Sequence, residues 1–145
     1  MSRVIGLDHG SRRIGVAVGD TETGLAFARP ALRRTQEAAD LKALTDLATA
    51  EGTNTYVVGL PLNMDGSEGP QAAAARAFGA KLAVGGGAVE FVDERLTSWQ
   101  AGEDLAGSGR RPARRSGELD SVAARLILQE YLDVRAAPAR PLETE

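Results

Sequence analysis

The chain has 145 residues, 17 of them basic and 20 acidic for a formal charge of −3, with 43 % hydrophobic residues and no cysteine. That length supports one substantial core and leaves no room for two full domains. The missing cysteine excludes a disulfide scaffold, a cysteine zinc site and thiol catalysis, and the weak negative charge argues against a protein that coats nucleic acid through its bulk field. In chain order, residues 3–7 and 13–18 read as two strands joined across the turn Asp8-His9-Gly10-Ser11-Arg12, with Gly10 taking the positive φ of a tight return. Residues 25–31 read as a third strand ended near Pro30, after which Thr35 caps a helix carrying Leu41, Leu44, Leu47 and Ala48 at helical spacing. Tyr56-Val57-Val58-Gly59-Leu60 is apolar on both faces, as a strand between helix layers is, and Pro61 ends it. After a turn-rich loop, Pro70 opens a helix that runs to about Val84 and is broken by the glycines at 85–87. Residues 89–93 form the fifth strand. Thr97 and Gln100 make a capping box for a short helix to about Gly107, and a Gly-Ser-Gly-Arg-Arg-Pro loop precedes a last helix from near Gly117 to Val134. The tail at 135–145 has nothing to pack against and is expected to be disordered, leaving one domain at 1–134.

The order predicts an α/β fold: a five-stranded mixed sheet, three antiparallel strands followed by parallel crossovers, with helices on both faces. In such sheets the first and fourth strands end side by side where ligands bind. Three carboxylates are placed where structure alone has little use for them. Asp8 ends the first apolar run, Glu94 follows the fifth strand, and Asp120 opens the last helix. At about 100° per residue, Leu119, Val122, Ala123, Leu126, Ile127 and Tyr131 define one apolar helix face, with Asp120 projecting between Ile127 and Tyr131. Taken singly, Asp8 reads as an Asx-turn acid, Glu94 as a solvated residue and Asp120 as an acid favoured by the helix dipole. Together they offer the oxygen ligands that Mg²⁺ or Mn²⁺ prefers.

Four segments then carry a resemblance: Val4-Ile-Gly-Leu-Asp8-His-Gly10-Ser-Arg-Arg-Ile-Gly-Val-Ala17, Gly59-Leu-Pro-Leu-Asn-Met-Asp-Gly-Ser-Glu68-Gly69, Asp93-Glu94-Arg95-Leu-Thr97-Ser98 and Leu119-Asp120-Ser-Val-Ala-Ala124. In that order they resemble the signature segments of the YqgF/RuvX family across the chain. The resemblance implies a ribonuclease H-like fold and a bacterial nuclease, proposed either to mature the 5′ end of pre-16S ribosomal RNA or to resolve Holliday junctions. It also implies that Asp8, Glu94 and Asp120 are catalytic metal ligands in a two-metal mechanism, with Asp8 bridging two Mg²⁺ or Mn²⁺ ions and the other two each completing one shell. Asp93 points away from Glu94 if the strand persists that far.

Substrate contacts are expected at Gly10, Arg12, Arg13 and Arg95, and at Arg110, Arg111, Arg114 and Arg115, four guanidinium groups on one Gly/Pro loop before Asp120. Arginine's planar fork suits bidentate phosphate recognition, although each of these residues could also be merely solvated. His9 reads as a general base or a plain turn residue, Asp65 to Glu68 as an active-site rim or a turn, and Trp99 as a core filler more readily than a stacking platform. The resemblance implies a nucleic-acid partner, RNA in preference to branched DNA, for a monomer or homodimer. Two rival classes stay open: an ATPase with an Asp-x-Gly phosphate turn, disfavoured by the single domain, and a non-catalytic RNA-binding ribosome-assembly factor, disfavoured by the three acids. The start of the chain has no signal-peptide core and no run long enough to span a bilayer, so the expected location is cytoplasmic, away from membranes.

Overall fold

The structure, a computed structural model, describes residues 2–94 and 118–136, with side chains in the second segment at 121–135. Its elements are β1 (Arg3–His9), β2 (Arg13–Asp20), β3 (Leu25–Arg33), α1 (Glu37–Glu51), β4 (Thr55–Leu60), α2 (Pro70–Val84), β5 (Ala88–Asp93) and α3 (Glu118–Ala136). The sheet order is β3-β2-β1-β4-β5, antiparallel among the first three strands and parallel from β1 through β4 to β5. This is the expected α/β architecture, with β1 and β4 adjacent at the centre. The helix expected at 97–107 lies outside the described residues, as does the tail beyond Ala136.

Strand alternation divides the core into two layers. Ile5, Leu7, Ile14, Val16, Tyr56 and Val58 face α1 and α2, which contribute Leu44, Ala48, Phe78 and Leu82. Val4, Ala17 and Val57 face α3, which contributes Ala124, Ile127, Leu128, Tyr131 and Leu132. The helix lies close because β1 presents Gly6 there: a Cβ at Gly6 would come within 2.7 Å of Leu128 Cβ.

Four expectations about local structure are corrected. β1 runs on through Asp8 and His9, which pair with Gly15 and Ile14, so Asp8 is a strand residue rather than a turn residue. Gly10 is absent from the positive-φ glycines, Gly24, Gly52, Gly66 and Gly86 among the described residues. Its requirement is steric instead: Gly10 N–H donates to Arg13 O at 3.0 Å, and a Cβ would meet that oxygen at 2.6 Å. Pro30 does not end β3. The register passes from Val16↔Arg29 to Ile14↔Leu32, so Pro30 and Ala31 together face one residue of β2 in a bulge, where an edge strand tolerates a missing N–H. Finally, Thr35 is not the cap of α1. Gln36 is, without a side-chain hydrogen bond, and the Asp40 carboxylate reaches back to accept from Thr35 N–H at 3.1 Å.

The stripe that α3 buries is also rotated from the expected one. Ser121, Ala124, Ile127, Leu128, Tyr131 and Leu132 are buried, whereas Val122, Ala123 and Leu126 are half-buried. Polar groups help to set this rotation: Ser121 Oγ donates to Arg29 O at 2.7 Å, and Gln129 bonds Ala26 N–H and Gly24 O. α3 thereby satisfies backbone groups of the edge strand while packing on the sheet.

Candidate active site

Asp8 and Glu94 come to the same side of the sheet because of strand parity. In β1, Val4 and Gly6 face α3, so two residues further Asp8 does as well. The neighbouring position on β4 is Gly59, one step past the Leu7↔Val58 pair. Val57 faces α3, and Gly59 shares its side of the sheet. Glu94 folds its carboxylate into the space that this glycine leaves: a Cβ at Gly59 would lie 2.6 Å from Glu94 Oε2 and 2.5 Å from Ile127 Cδ1. Glu94 is only 8 % exposed. A carboxylate so enclosed must be stabilised by cations or hydrogen-bond donors, since desolvation disfavours its charge.

β5 persists to Asp93, which pairs with Leu60, a residue of the α1/α2 layer. Asp93 is therefore on the opposite side of the sheet from Glu94, as alternation requires. Asp120 is in the first turn of α3, seven residues before Ile127, whose Cδ1 reaches Gly59. Its side chain lies outside the described residues. Among the described residues no group of three acids or imidazoles forms a metal-binding cluster.

Asp8 and Glu94 line a cavity of about 390 Å³ at the C-terminal ends of β1 and β4, with His9, Gly10, Ser11, Arg34, Pro61, Pro70, Gln71 and Ala74. The wall at Pro70 and Gln71 is the first turn of α2, so the partial positive charge of the helix N-terminus lies at the edge of the cavity. Arg34 is held from two sides: Nη1 donates to Gly10 O at 3.0 Å and Nε to Asp40 Oδ2 at 3.4 Å, with Asp40 itself 2 % exposed. Thus oxygen donors line one part of the cavity, and a guanidinium and a helix N-terminus line another. The donor set, carboxylate oxygens on rigid strand ends, fits Mg²⁺ or Mn²⁺.

His9 alternates to the other side from Asp8 and packs against Phe78, ring centroids 4.7 Å apart. Burial, and after it the Arg34 guanidinium, lowers its pKa from the ordinary 6.5, so the ring is held neutral near neutral pH. Asp65 to Glu68 form a turn whose residues are not among those lining the cavity. Asp65 Oδ1 accepts from Ser67 N–H at 2.9 Å, and Glu68 pairs with Arg76 at 2.6 Å. Arg12 and Arg13 line an adjoining groove with Ser11, Arg33 and Arg34. Arg34, Arg33 and Asp40 were not singled out by the sequence; with β3 expected to stop at Pro30, the arginines fell in a linker. Arg95, Arg110, Arg111, Arg114, Arg115 and Trp99 lie outside the described residues. Among those described, no helix is long and apolar enough to cross a membrane.

Residues 2–134 match the sequence profile of the RuvX family, described as "Holliday junction resolvase". A protein of Opitutus terrae named "Putative pre-16S rRNA nuclease" is 44 % identical over 145 residues, covering 99 % of each chain. One of the same name from Moorella thermoacetica is 48 % identical over 132 residues, covering 90 % of this chain and 94 % of its own. Among solved structures, T. thermophilus RuvC in complex with Holliday junction substrate aligns with a TM-score of 0.61 at 17 % identity, over 98 % of this chain and 100 % of that one. Fowlpox virus resolvase with its Holliday junction DNA aligns at 0.52 and 11 % identity, over 92 % and 99 %. At such identities these two show a common fold, the ribonuclease H-like one.

Proposed function

The chain belongs to the RuvX family, and from that footing we propose that it is a metal-dependent nuclease that hydrolyses phosphodiester bonds of RNA at the 5′ end of pre-16S rRNA. The nuclease activity follows from the family and its curated relatives; the choice of RNA rests on the relatives' name. The observation that supports the site is that Asp8 and Glu94 line one cavity, with β4 between their strands and Gly59 leaving room for Glu94.

In this reading Asp8, Glu94 and Asp120 hold one or two divalent ions. Such ions, when bound, neutralise phosphate charge and make water a stronger nucleophile at neutral pH. The rest is the work of the chain's own residues. Asp8 sits on the central strand and pairs with Gly15, so its backbone is fixed by the sheet. Glu94 is seated against Gly59 and Ile127, which limits the rotamers open to it. Arg34, aimed by Gly10 O and Asp40, and the uncapped end of α2 supply positive charge for non-bridging phosphate oxygens. The neutral His9 ring lies on the opposite side of β1 and serves as packing against Phe78.

Cleavage of branched DNA is the second reading, favoured by the description of the matching family. A resolvase needs two sites on a symmetric dimer, whereas RNA trimming needs only one site and so no dimer. The discriminating experiment offers single-stranded RNA bearing the precursor 5′ extension, duplex DNA and a four-way junction in parallel with Mn²⁺. Cleavage of the RNA alone is expected; cleavage of the junction alone would shift the assignment to a resolvase. Asp8→Asn should bring cleavage below detection without unfolding the domain, and a variant as active as the parent would sink the carboxylate assignment.

A further inference from the structure

A second concavity, of about 500 Å³, opens beside the cavity that holds Asp8 and Glu94. Arg12, Arg13, Arg33 and Arg34 line it together with Ser11, and no carboxylate among the described residues does. Ser11 and Arg34 line both spaces, so the two are continuous along the end of the sheet. The cluster arises from the β3 bulge. By carrying the strand past Pro30, it sets Arg33 directly across from Arg13, and Arg34 N–H then bonds Arg12 O at 2.9 Å. This concentration stands in a chain of net charge −3, which makes it a local feature rather than a general field.

We propose that this groove binds the sugar-phosphate backbone flanking the cleaved bond, so that nucleic acid leaves the active site over β2 and β3 rather than over β5. Arg34, fixed by Asp40 and Gly10, is the hinge point between the two spaces. Arg33 and Arg12, both exposed, take the phosphates further along, with Arg13 beneath them. The inference rests on the nuclease reading for the identity of the polymer, while the groove itself rests on its lining.

Fluorescence anisotropy in the Asp8→Asn background, which leaves the probe uncut, tests it with labelled single-stranded RNA and a labelled four-way DNA junction over a salt series. Arg33→Ala and Arg12→Ala should each flatten the plot of log Kd against log salt by about 0.7 to 0.9 of a unit, one phosphate contact apiece. Lys42→Ala removes the same charge from the outer side of α1, where Lys42 pairs with Asp46 at 2.9 Å, and should leave the slope unchanged. Melting curves check that every variant is folded. If the groove variants change the slope no more than Lys42→Ala does, the groove assignment is overturned while the nuclease reading stands. Binding of neither probe overturns both. The expected slopes, with a parent protein that cuts nothing in Mn²⁺, uphold the groove and overturn the nuclease reading.

Discussion

Gly59 shows how one missing side chain shapes a site. Its buried position on β4 gives Glu94 the volume in which to fold over the sheet, with Ile127 closing the other side. A methyl group there would have to displace the carboxylate or the helix, because both approach closer than any real Cβ tolerates. Gly59→Ala is therefore expected to cost about 1–3 kcal/mol as an overpacked core position. It should also reduce metal-dependent cleavage beyond what the loss of folded protein explains. Urea denaturation alongside turnover of the folded fraction checks this, and a variant of full stability and activity would contradict the packing described here.

Among the elements, the tie between α1 and the sheet is electrostatic at its C-terminal end. Glu51 accepts from Arg3 of β1, and from Arg29 of β3 at 3.1 Å. Burial acts to raise the Glu51 pKa, but the hydrogen bonds and charges of Arg29 and Arg3 outweigh it and hold the carboxyl below its ordinary 4.5. A carboxyl with a depressed folded pKa stabilises above its unfolded value, and that stability is lost as the pH falls through the folded value. Glu51→Gln should accordingly lower stability at pH 7 by about 1 kcal/mol or less, both arginines being well exposed. The gap between variant and parent should close below pH 4.5. Thermal melts at pH 7 and pH 3 give the comparison; an equal gap at both would assign the effect to packing.

For the whole molecule, the proposed site draws on the ends of β1 and β5 and the start of α3, which come together only in the folded chain, so on the proposed reading metal binding and stability are linked. Mn²⁺ should raise the melting temperature in a concentration-dependent way, by an amount equivalent to about 2.7 kcal/mol at a hundredfold excess over its Kd. Asp8→Asn should lose most of that shift. Equal shifts in the two proteins would remove Asp8 from the ligand set, whatever the activity.

Much of this organisation is legible in the residues alone. Apolar runs bounded by Pro61, Pro70 and the glycines at 85–87 delimit β4 and α2, because proline lacks the N–H that a ladder or helix interior needs and glycine is a poor helix former. The βββαβαβ order implies the mixed sheet, since parallel neighbours need crossovers and antiparallel ones need only hairpins. Asp8 and Glu94 stand out only when taken together with Asp120, as acids at the ends of three elements that the fold order brings to one end of the sheet. Other features required the tertiary structure. Whether Pro30 ends β3 depends on the register with β2, a pairing across the hairpin that residues 25–33 do not encode by themselves. The stripe of α3 that turns inward depends on where β1 leaves room at Gly6 and on backbone groups of β3 that Ser121 and Gln129 must satisfy. Periodicity supplies only the residues from which such a stripe can be drawn. The juxtaposition of Arg12 and Arg13 with Arg33 and Arg34 depends on that same bulge. Local pattern and residue type thus carry the class of fold and the family, and they single out the three acids proposed as metal ligands. The seat of Glu94 over Gly59 and the arginine groove were decided by contacts between segments far apart in the chain, whose geometry exists only once the sheet has formed.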